Sequence, residues 1–517
     1  MSESQDSQYV PEQTSSDAVP SVGFDQRGRQ VENQINIAGN YIDYRQFNLA
    51  VPLPEAARRL NPCAVIPRPE LIGMMNATGA RLRTYPNQVA GVTIERPEAA
   101  AIVEWAANAP REKRLGVLID QPGGGKTVVM RMVLEQLDAA GVPTISIKAD
   151  SIGGVQTREE LARHLGLPCL LEDCVRTVAQ HGLCIVLLDQ LDALSLDLSA
   201  DQITLDLMLD TLARLREVPN VRIVASCRVF ELRHDPRLST VAPDLEFRLQ
   251  ALTDEKILPV LHALGVEAEK LLTDHRKLIT VPQHLRVYAD LVSGASPEMR
   301  GESYKNLQEL YAALWTRWVA ERPPEMPPPD DRVEALCRLA DTMHRRQQLS
   351  VPFAALDDLS EAANYLESRH VIYREGGCWR FCHQTLFDYC YARGFVASSQ
   401  SLSEVILGGG QGLFERSQMI QVLVYLRGAD HEAFLSEVMR LLDGANLRIH
   451  LRFLLCGWLA SLPNPVPEEL VVAELLLASA ESRNRFLQAA RGNTGWFDLL
   501  PRTLLPGMLG SEDEGSV

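Results

Sequence analysis

A glycine-rich turn between an apolar segment and an amphipathic segment is the strongest constraint on this sequence. Residues 115–119 have the length and apolar character of a buried strand, 121–125 form the turn, and 126–137 carry apolar groups at helical spacing. Glycines allow backbone amides to close around a phosphate, and the start of the helix adds a partial positive charge. The order of strand, turn and helix therefore predicts a phosphate-binding loop on a parallel sheet.

The residues of this loop have separate predicted roles. The amides of Gly123, Gly124 and Gly125 would surround the β-phosphate, Lys126 would reach the β and γ oxygens, and the Thr127 hydroxyl could ligate Mg²⁺. The full pattern GxxxxGK[ST] requires glycine where this sequence has Asp120, so the loop is irregular at its first position. A turn that carries Lys-Thr by chance is the alternative interpretation.

A second apolar strand, 184–188, leads into two carboxylates. Asp189 is predicted to hold Mg²⁺ through water, and Asp192 to orient or deprotonate the attacking water. The alternative for Asp192 is a helix-capping carboxylate.

A third such strand, 222–225, is followed by the cation Arg228. Ligands of parallel sheets bind at the carboxyl ends of the strands, so Arg228 is placed to contact a γ-phosphate. A surface position, or an ion pair with Glu231, is the alternative.

The remaining pattern predicts several domains. An α/β core with strands at 116–119, 144–147, 184–188, 222–225 and 246–249 gives way after residue 252 to helices, and the proline-rich stretch 321–330 marks an internal boundary. The predicted organisation is a disordered tail at 1–24, a short β-arch or hairpin at 25–47, a linker at 48–90, the core at 91–252, a helical domain at 253–320, a winged-helix domain at 321–397 and a helical, repeat-like region at 398–517.

Composition excludes several classes of function. The formal charge of −16 over 517 residues argues against a general nucleic-acid binder, although a local basic patch stays possible. Ten scattered cysteines without a CxxC pair predict reduced, mostly buried thiols. The first residues lack the order of a signal peptide, and no window reaches eighteen uncharged apolar residues, so the expected location is the cytoplasm.

Five motifs, in this order, resemble the STAND class of P-loop NTPases, which includes the NACHT-like bacterial relatives of NOD-like immune receptors. The resemblance covers roughly residues 90–395. The motifs are PGGGKT at 122–127, LLDQLDAL at 187–194, ASCR at 225–228, VPQHL at 281–285 and FCHQTLFDY at 381–389.

The resemblance implies further site residues. Pro282 matches the proline that approaches the adenine or sugar, and His383 matches the histidine that reaches the β-phosphate of ADP and locks the closed state. Arg96 lies in the segment expected beside the adenine base. Asp388 stands where the family has Glu. Ala193 stands where NACHT proteins often carry Glu, and Gln190 stands where AAA+ motors carry Glu, which implies slow hydrolysis.

The resemblance also implies a function. We expect an ATP/ADP-binding, Mg²⁺-dependent signalling switch that oligomerises on activation, with weak ATPase activity as a reset and a place in bacterial antiphage defence. Residues 25–47, rich in Gln, Asn and Ile, would recruit a separate effector by cross-β stacking or would instead pack on the core. The helical region 398–517 would receive an unknown trigger.

Two alternatives are a DNA-associated AAA+-like ATPase and a STAND transcriptional regulator. Residues 321–397 hold nine Arg and no Lys against twelve Asp and Glu, which disfavours phosphate contacts.

Overall fold

The computed structural model describes the strands at 34–37 and 40–43 and most of residues 62–503. The undescribed positions within 62–503 are 197–201, 236, 294–300, 321–325, 347, 410, 412, 445 and 463. The chain divides into two units, Met1–Leu60 and Asn61–Val517. In the first unit, strands β1 (Gln34–Ile37) and β2 (Asn40–Asp43) pair antiparallel within the predicted hairpin segment. The predicted tail, 1–24, lies outside the described residues.

A five-stranded parallel sheet forms the centre of the second unit. Its strands stand in the order β6-β7-β8-β5-β9. All five predicted strands are present, and the first, the fourth and the last in sequence each begin one residue earlier than expected. Their bounds are β5 Leu115–Asp120, β6 Thr144–Lys148, β7 Cys184–Asp189, β8 Val221–Arg228 and β9 Leu245–Arg248.

Both faces of the sheet are covered, because alternate side chains of each strand point to opposite faces. On β5, Val117 belongs to one apolar core and Leu118 to the other, and both are fully buried. The sheet, its loop and its helices form an α/β P-loop NTPase fold. The helices of this part are α1 Arg68–Ala77, α2 Ala80–Arg83, α3 Pro97–Asn108, α4 Lys126–Ala139, α5 Arg158–His164, α6 Leu171–Ala179, α7 Ala193–Leu196, α8 Gln202–Arg216 and α9 Val229–His234.

Part of the predicted linker at 48–90 is instead folded onto this core. Helix α1 fully buries Leu71 and Met75, and strands β3 (Gln88–Val89) and β4 (Val92–Thr93) pair antiparallel. The apolar groups of α1 lie one helical turn apart, which is why they can share one buried face. Residues 48–61 lie outside the described part.

The described residues from 254 to 320 are then mostly helical. The elements are α10 Asp254–Ala263, α11 Thr273–Leu278, α12 Pro282–Val292 and α13 Leu307–Trp315, followed by one turn of π-helix at Thr316–Ala320. Pro282 occupies the first turn of α12, where its missing N–H leaves no helical hydrogen bond unmade.

Residues 326–397 combine helices with a small antiparallel sheet in the order β10-β12-β11. The Gly376-Gly377 turn, with both residues at positive φ, joins β11 to β12. The elements are α14 Pro329–Arg346, β10 Val351–Pro352, a 3-10 segment Phe353–Leu359, α15 Ser360–Ser368, β11 Ile372–Glu375, β12 Cys378–Phe381 and α16 Gln384–Ala397.

The last part is helical and shares one apolar core with the two parts before it. Its helices are α17 Leu402–Gly408, α18 Leu413–Ala429, α19 His431–Asp443, α20 Ile449–Ala460, α21 Leu470–Ala478, α22 Ala480–Ala490 and α23 Thr494–Thr503. Among the helices described, none is long and apolar enough to cross a membrane.

One cysteine prediction is corrected. Cys63 and Cys169 form a disulfide, and the Cys174 sulfur lies 3.6 Å from that of Cys63. The partners are 106 residues apart in sequence, so their spacing gave no indication of the pair. The eight remaining cysteines are free, and five of them are buried.

Candidate nucleotide site

A cavity of about 660 Å³ lies at the carboxyl end of the parallel sheet. This volume is in the range of cavities that hold a small molecule. Its walls come from three successive parts of the chain. The core contributes Lys126, the helical part that ends at residue 320 contributes Pro282, and the third part, residues 326–397, contributes His383.

The phosphate loop forms one wall. Gly123 and Gly125 have φ of 80° and 93°, which favours glycine at both positions. Lys126 begins α4, and its Nζ donates to the carbonyls of Asp120 at 3.1 Å and Gln121 at 3.0 Å. Burial lowers the pKa of Lys126, and nearby Asp192 opposes that shift. An arriving phosphate would offer this amine a stronger, charged acceptor than the two carbonyls.

The irregular residue Asp120 is accommodated by the loop itself. Its side chain lies against Gly124, so that a Cβ at position 124 would overlap the Asp120 carboxylate. Burial raises the pKa of Asp120. Gly124 does not have a positive φ, so its requirement for glycine comes from this contact rather than from backbone conformation.

The end of β7 carries the predicted metal residue. Asp189 is 1% exposed, and its Oδ1 accepts a hydrogen bond of 2.6 Å from the hydroxyl of Ser226 on β8. Its Oδ2 is buried and has no hydrogen-bond partner among the described residues. Burial raises the pKa of Asp189, while the Ser226 hydroxyl and the charge of Lys148 act to lower it. A carboxylate oxygen without a donor, beside a threonine hydroxyl, fits the oxygen ligands that Mg²⁺ prefers.

Asp192 and Arg228 contact each other. The Nε of Arg228 lies 3.0 Å from Oδ2 of Asp192, and its backbone N–H donates to Oδ1 at 3.1 Å. Arg228 also lies 3.7 Å from Glu231, so the ion pair raised as an alternative is present together with a position on the cavity wall. Both oxygens of Asp192 are therefore engaged by Arg228.

Arg96 is buried beside the loop. Its Nη2 donates to the carbonyl of Gly124 at 3.5 Å, and its Nε lies 3.5 Å from Glu98. Arg96 lines the cavity with Ile94, in the segment expected to face the base.

Pro282 and His383 approach from the other two parts. The Cγ of Pro282 would lie 3.6 Å from a Cβ at Gly125, so the proline ring packs directly over the loop. His383 precedes α16 and lines the same cavity. Burial, and then the charge of Arg286, lowers the pKa of His383 to about 4, so the imidazole is neutral near pH 7.

Sequence reasoning did not assign four residues that the structure brings to this site. Gln190, at φ 59°, donates from Nε2 to the Thr127 hydroxyl at 3.2 Å and from its backbone to Ser226 at 2.8 Å. Lys148 pairs in register with Asp189 and binds Asp150 at 2.8 Å. The fourth residue, Gln283, contacts the loop from α12. Ser226 was recognisable as a small polar residue in an apolar strand that ends at the site.

Comparison with known proteins adds no family. The sequence matches no protein-family model and none of the curated proteins. Similar solved structures include a Walker-type ATPase of Pyrococcus abyssi, with 16% identity, a TM-score of 0.33 and coverage of 60% of this chain and 99% of that one. Another is the Orc1 protein of Aeropyrum pernix in complex with DNA, with 17% identity, a TM-score of 0.28 and coverage of 62% and 97%.

A third similar structure is Cdc6p of Pyrobaculum aerophilum, with 15% identity, a TM-score of 0.22 and coverage of 59% and 93%. Because these TM-scores are low, the assignment of the fold rests on the strand order and on the phosphate loop described above. The chain has the α/β P-loop NTPase fold.

Proposed function

We propose that this chain is an ATP/ADP-binding signalling switch of the STAND type. The observation that carries the proposal is the composition of the cavity wall, which joins the phosphate loop, Pro282 and His383 from three successive parts of the chain. A nucleotide bound in such a cavity contacts all three parts at once. Its phosphate state can therefore change how strongly they hold together.

The residues of the loop would bind the phosphates. Amides of residues 123–125 and the start of α4 offer hydrogen bonds and partial positive charge, and Lys126 supplies a full charge. Thr127 and Asp189 would hold Mg²⁺, which neutralises phosphate charge when it is bound.

The Arg228–Asp192 ion pair supports a distinction between ADP and ATP. A γ-phosphate would compete with Asp192 for the guanidinium, whereas ADP would leave the ion pair intact. Asp192 would be free to orient water only after Arg228 has moved. Together with the neutral amide of Gln190 in place of an acid, this supports slow hydrolysis that resets the switch.

The winged-helix interpretation of residues 326–397 is supported by their element order. Helix α14, strand β10, the 3-10 segment, helix α15 and the hairpin β11–β12 follow in sequence, with β12 between the other two strands. In that interpretation α15 is the helix that would enter a DNA groove. It contains Glu361 and Glu367 and no Lys or Arg, which favours the switch over a DNA-reading ATPase.

The experiment that tests the proposal measures nucleotide and particle size together. We expect purified protein to retain extractable ADP or ATP, and a non-hydrolysable ATP analogue to enlarge the particle relative to ADP. Lys126→Ala should abolish both effects. A wild-type chain that binds neither nucleotide would contradict the proposal, and a salt-dependent shift of duplex DNA would instead favour the AAA+-like or transcriptional alternative.

The effector and the trigger are assigned from the positions of two segments in the chain. We propose that residues 25–47 recruit a separate effector in the cytoplasm, that the region from 398 onward receives the trigger, and that the setting is bacterial antiphage defence. Deleting residues 1–47 should abolish signalling and leave nucleotide affinity unchanged. Full signalling by the shortened chain would refute the role of the hairpin segment.

A further inference from the structure

We propose that Gln283 is a positioning residue that couples the phosphate loop to the third part of the chain, residues 326–397, through the hydroxyl of Thr385. This inference rests on the proposed function and extends it, because it names how the loop and the third part would sense each other. Gln283 is the second residue of helix α12, directly after Pro282.

One end of Gln283 is fixed to the loop. Its backbone N–H donates to the carbonyl of Gly123 at 3.1 Å. A Cβ at Gly123 would lie 2.9 Å from the Cβ of Gln283, so the glutamine side chain packs directly against this glycine. Gly123 has a φ of 80°, and any change of the loop at this residue therefore moves a surface that Gln283 touches.

The other end of Gln283 is fixed to two hydroxyls. Its Nε2 donates to the Tyr311 hydroxyl at 3.2 Å and to the Thr385 hydroxyl, and the two hydroxyls lie 2.6 Å apart. Burial raises the pKa of Tyr311, so all three groups are neutral and are held by hydrogen bonds alone. The two N–H groups of one amide match the two hydroxyl acceptors.

The three partners belong to three parts of the chain. Gly123 lies in the core, Tyr311 on α13 and Thr385 in the first turn of α16, two residues after His383. A Cβ at Gly123 would lie 2.5 Å from the Oε1 of Gln283, so the glycine packs against the same planar amide whose Nε2 binds the two hydroxyls, and its displacement shifts that amide. Gln283 therefore gives the loop a second connection to the third part, independent of His383.

The test is a double-mutant cycle on nucleotide affinity in the full chain. Thr385→Val removes only the hydroxyl, and Gln283→Met removes the amide at similar volume. We expect each to weaken ADP binding about tenfold, since each breaks the same path from Gly123 to Thr385, and the double variant to be no weaker than either single variant. Thr385→Ser, which keeps the hydroxyl, should restore wild-type affinity.

Thr316→Val is the control, because the Thr316 hydroxyl donates to the backbone carbonyl of Ala312 four residues earlier and contacts neither Gln283 nor the loop. Thermal unfolding of every variant shows whether it is folded. Additive losses in the double variant would mean that Thr385 acts on the nucleotide independently of Gln283. Unchanged affinity in Thr385→Val would mean that the Thr385 hydroxyl has no role in binding. Either result overturns the inference and leaves the proposed function standing. Absence of binding by the wild type would overturn the function and the inference with it.

Discussion

Residue Asp120 shows how an irregular phosphate loop can keep its shape. The carboxylate fills the space beside Gly124 in which any other residue would place a Cβ. The pattern requires glycine at position 120, where this chain has Asp, and accepts any residue at position 124, where this chain has glycine. Asp120 and Gly124 therefore form a matched pair, in which each residue requires the other.

Gly124→Ala should weaken ADP binding at least tenfold, because the new methyl group and the Asp120 carboxylate need the same space. The double variant Asp120→Gly, Gly124→Ala should recover most of the loss. Calorimetric titration of the three chains checks both expectations. A single Gly124→Ala variant with wild-type affinity would contradict the contact.

His383 predicts a proton linked to nucleotide binding. Burial and Arg286 lower its pKa to about 4, and a phosphate beside the ring would raise that pKa toward neutrality. The bound state then holds the proton more tightly than the free state. ADP affinity should therefore rise as pH falls from about 7.5 to about 6, by at most about tenfold per pH unit.

Calorimetry in two buffers of different ionisation enthalpy measures this proton uptake directly. His383→Gln should abolish it. His344→Gln is the matched control. Burial also lowers the pKa of His344 to about 4, but this histidine stacks on Tyr391 and does not line the cavity. Equal proton uptake by wild type and His383→Gln would contradict the assignment.

Among the strands of the sheet, β8 supplies two polar residues to the site. It lies between the loop strand β5 and the Asp189 strand β7, and it delivers both Ser226 and Arg228 to the carboxyl edge. Ser226 is fully buried, accepts from the Gln190 backbone and donates to Asp189. One hydroxyl therefore fixes the geometry of the Asp189 carboxylate and of the residue after it.

Ser226→Ala should lower the free energy of unfolding by about 1–3 kcal/mol, because a buried carboxylate oxygen and a buried amide lose their partner. It should also weaken Mg²⁺-dependent nucleotide binding more than binding measured with excess chelator. Ser146→Ala, which changes a buried serine on strand β6, two strands away from β8, is the control. Equal losses with and without Mg²⁺ would contradict the role of Ser226 in orienting Asp189.

The elements that sequence predicted best are those whose signal is local. Apolar runs flanked by turns identify strands β5, β6, β7 and β8 of the sheet, and the strand-turn-helix order identifies the loop. Contacts between residues that are far apart in the sequence give no local pattern. The Asp192–Arg228 ion pair, the link from Gln283 to Thr385 and the Cys63–Cys169 disulfide all join residues at least 36 positions apart, and spacing alone does not reveal them.

At the scale of the whole molecule, Asp388 lies between Arg228 and the last helical part. It is partly buried, its Oδ1 accepts a hydrogen bond of 2.6 Å from Gln421 on α18, and the charge of Arg228 acts on it. Burial raises the pKa of Asp388 to about 7, and Glu231 adds to this shift while Arg228 opposes it. The carboxyl therefore titrates in the physiological range at the junction of three parts.

This titration predicts the direction of a pH effect on stability. The folded chain holds the Asp388 proton more tightly than the unfolded chain, so the stability from this group is full below about pH 4 and is lost as pH rises through about 7. Asp388→Asn keeps an acceptor for Gln421 and should lose this dependence. Urea unfolding of both chains from pH 5 to pH 8 measures it, and identical pH profiles would contradict the assignment.

The packing of Asp120 on Gly124 has a consequence for the evolution of the loop. Homologous chains that carry a side chain at position 120 should carry glycine at position 124, whereas chains with glycine at 120 should vary freely at 124. A substitution at either site alone would be selected against until its counterpart arose. Aligned sequences should therefore show covariation between positions 120 and 124 of the loop.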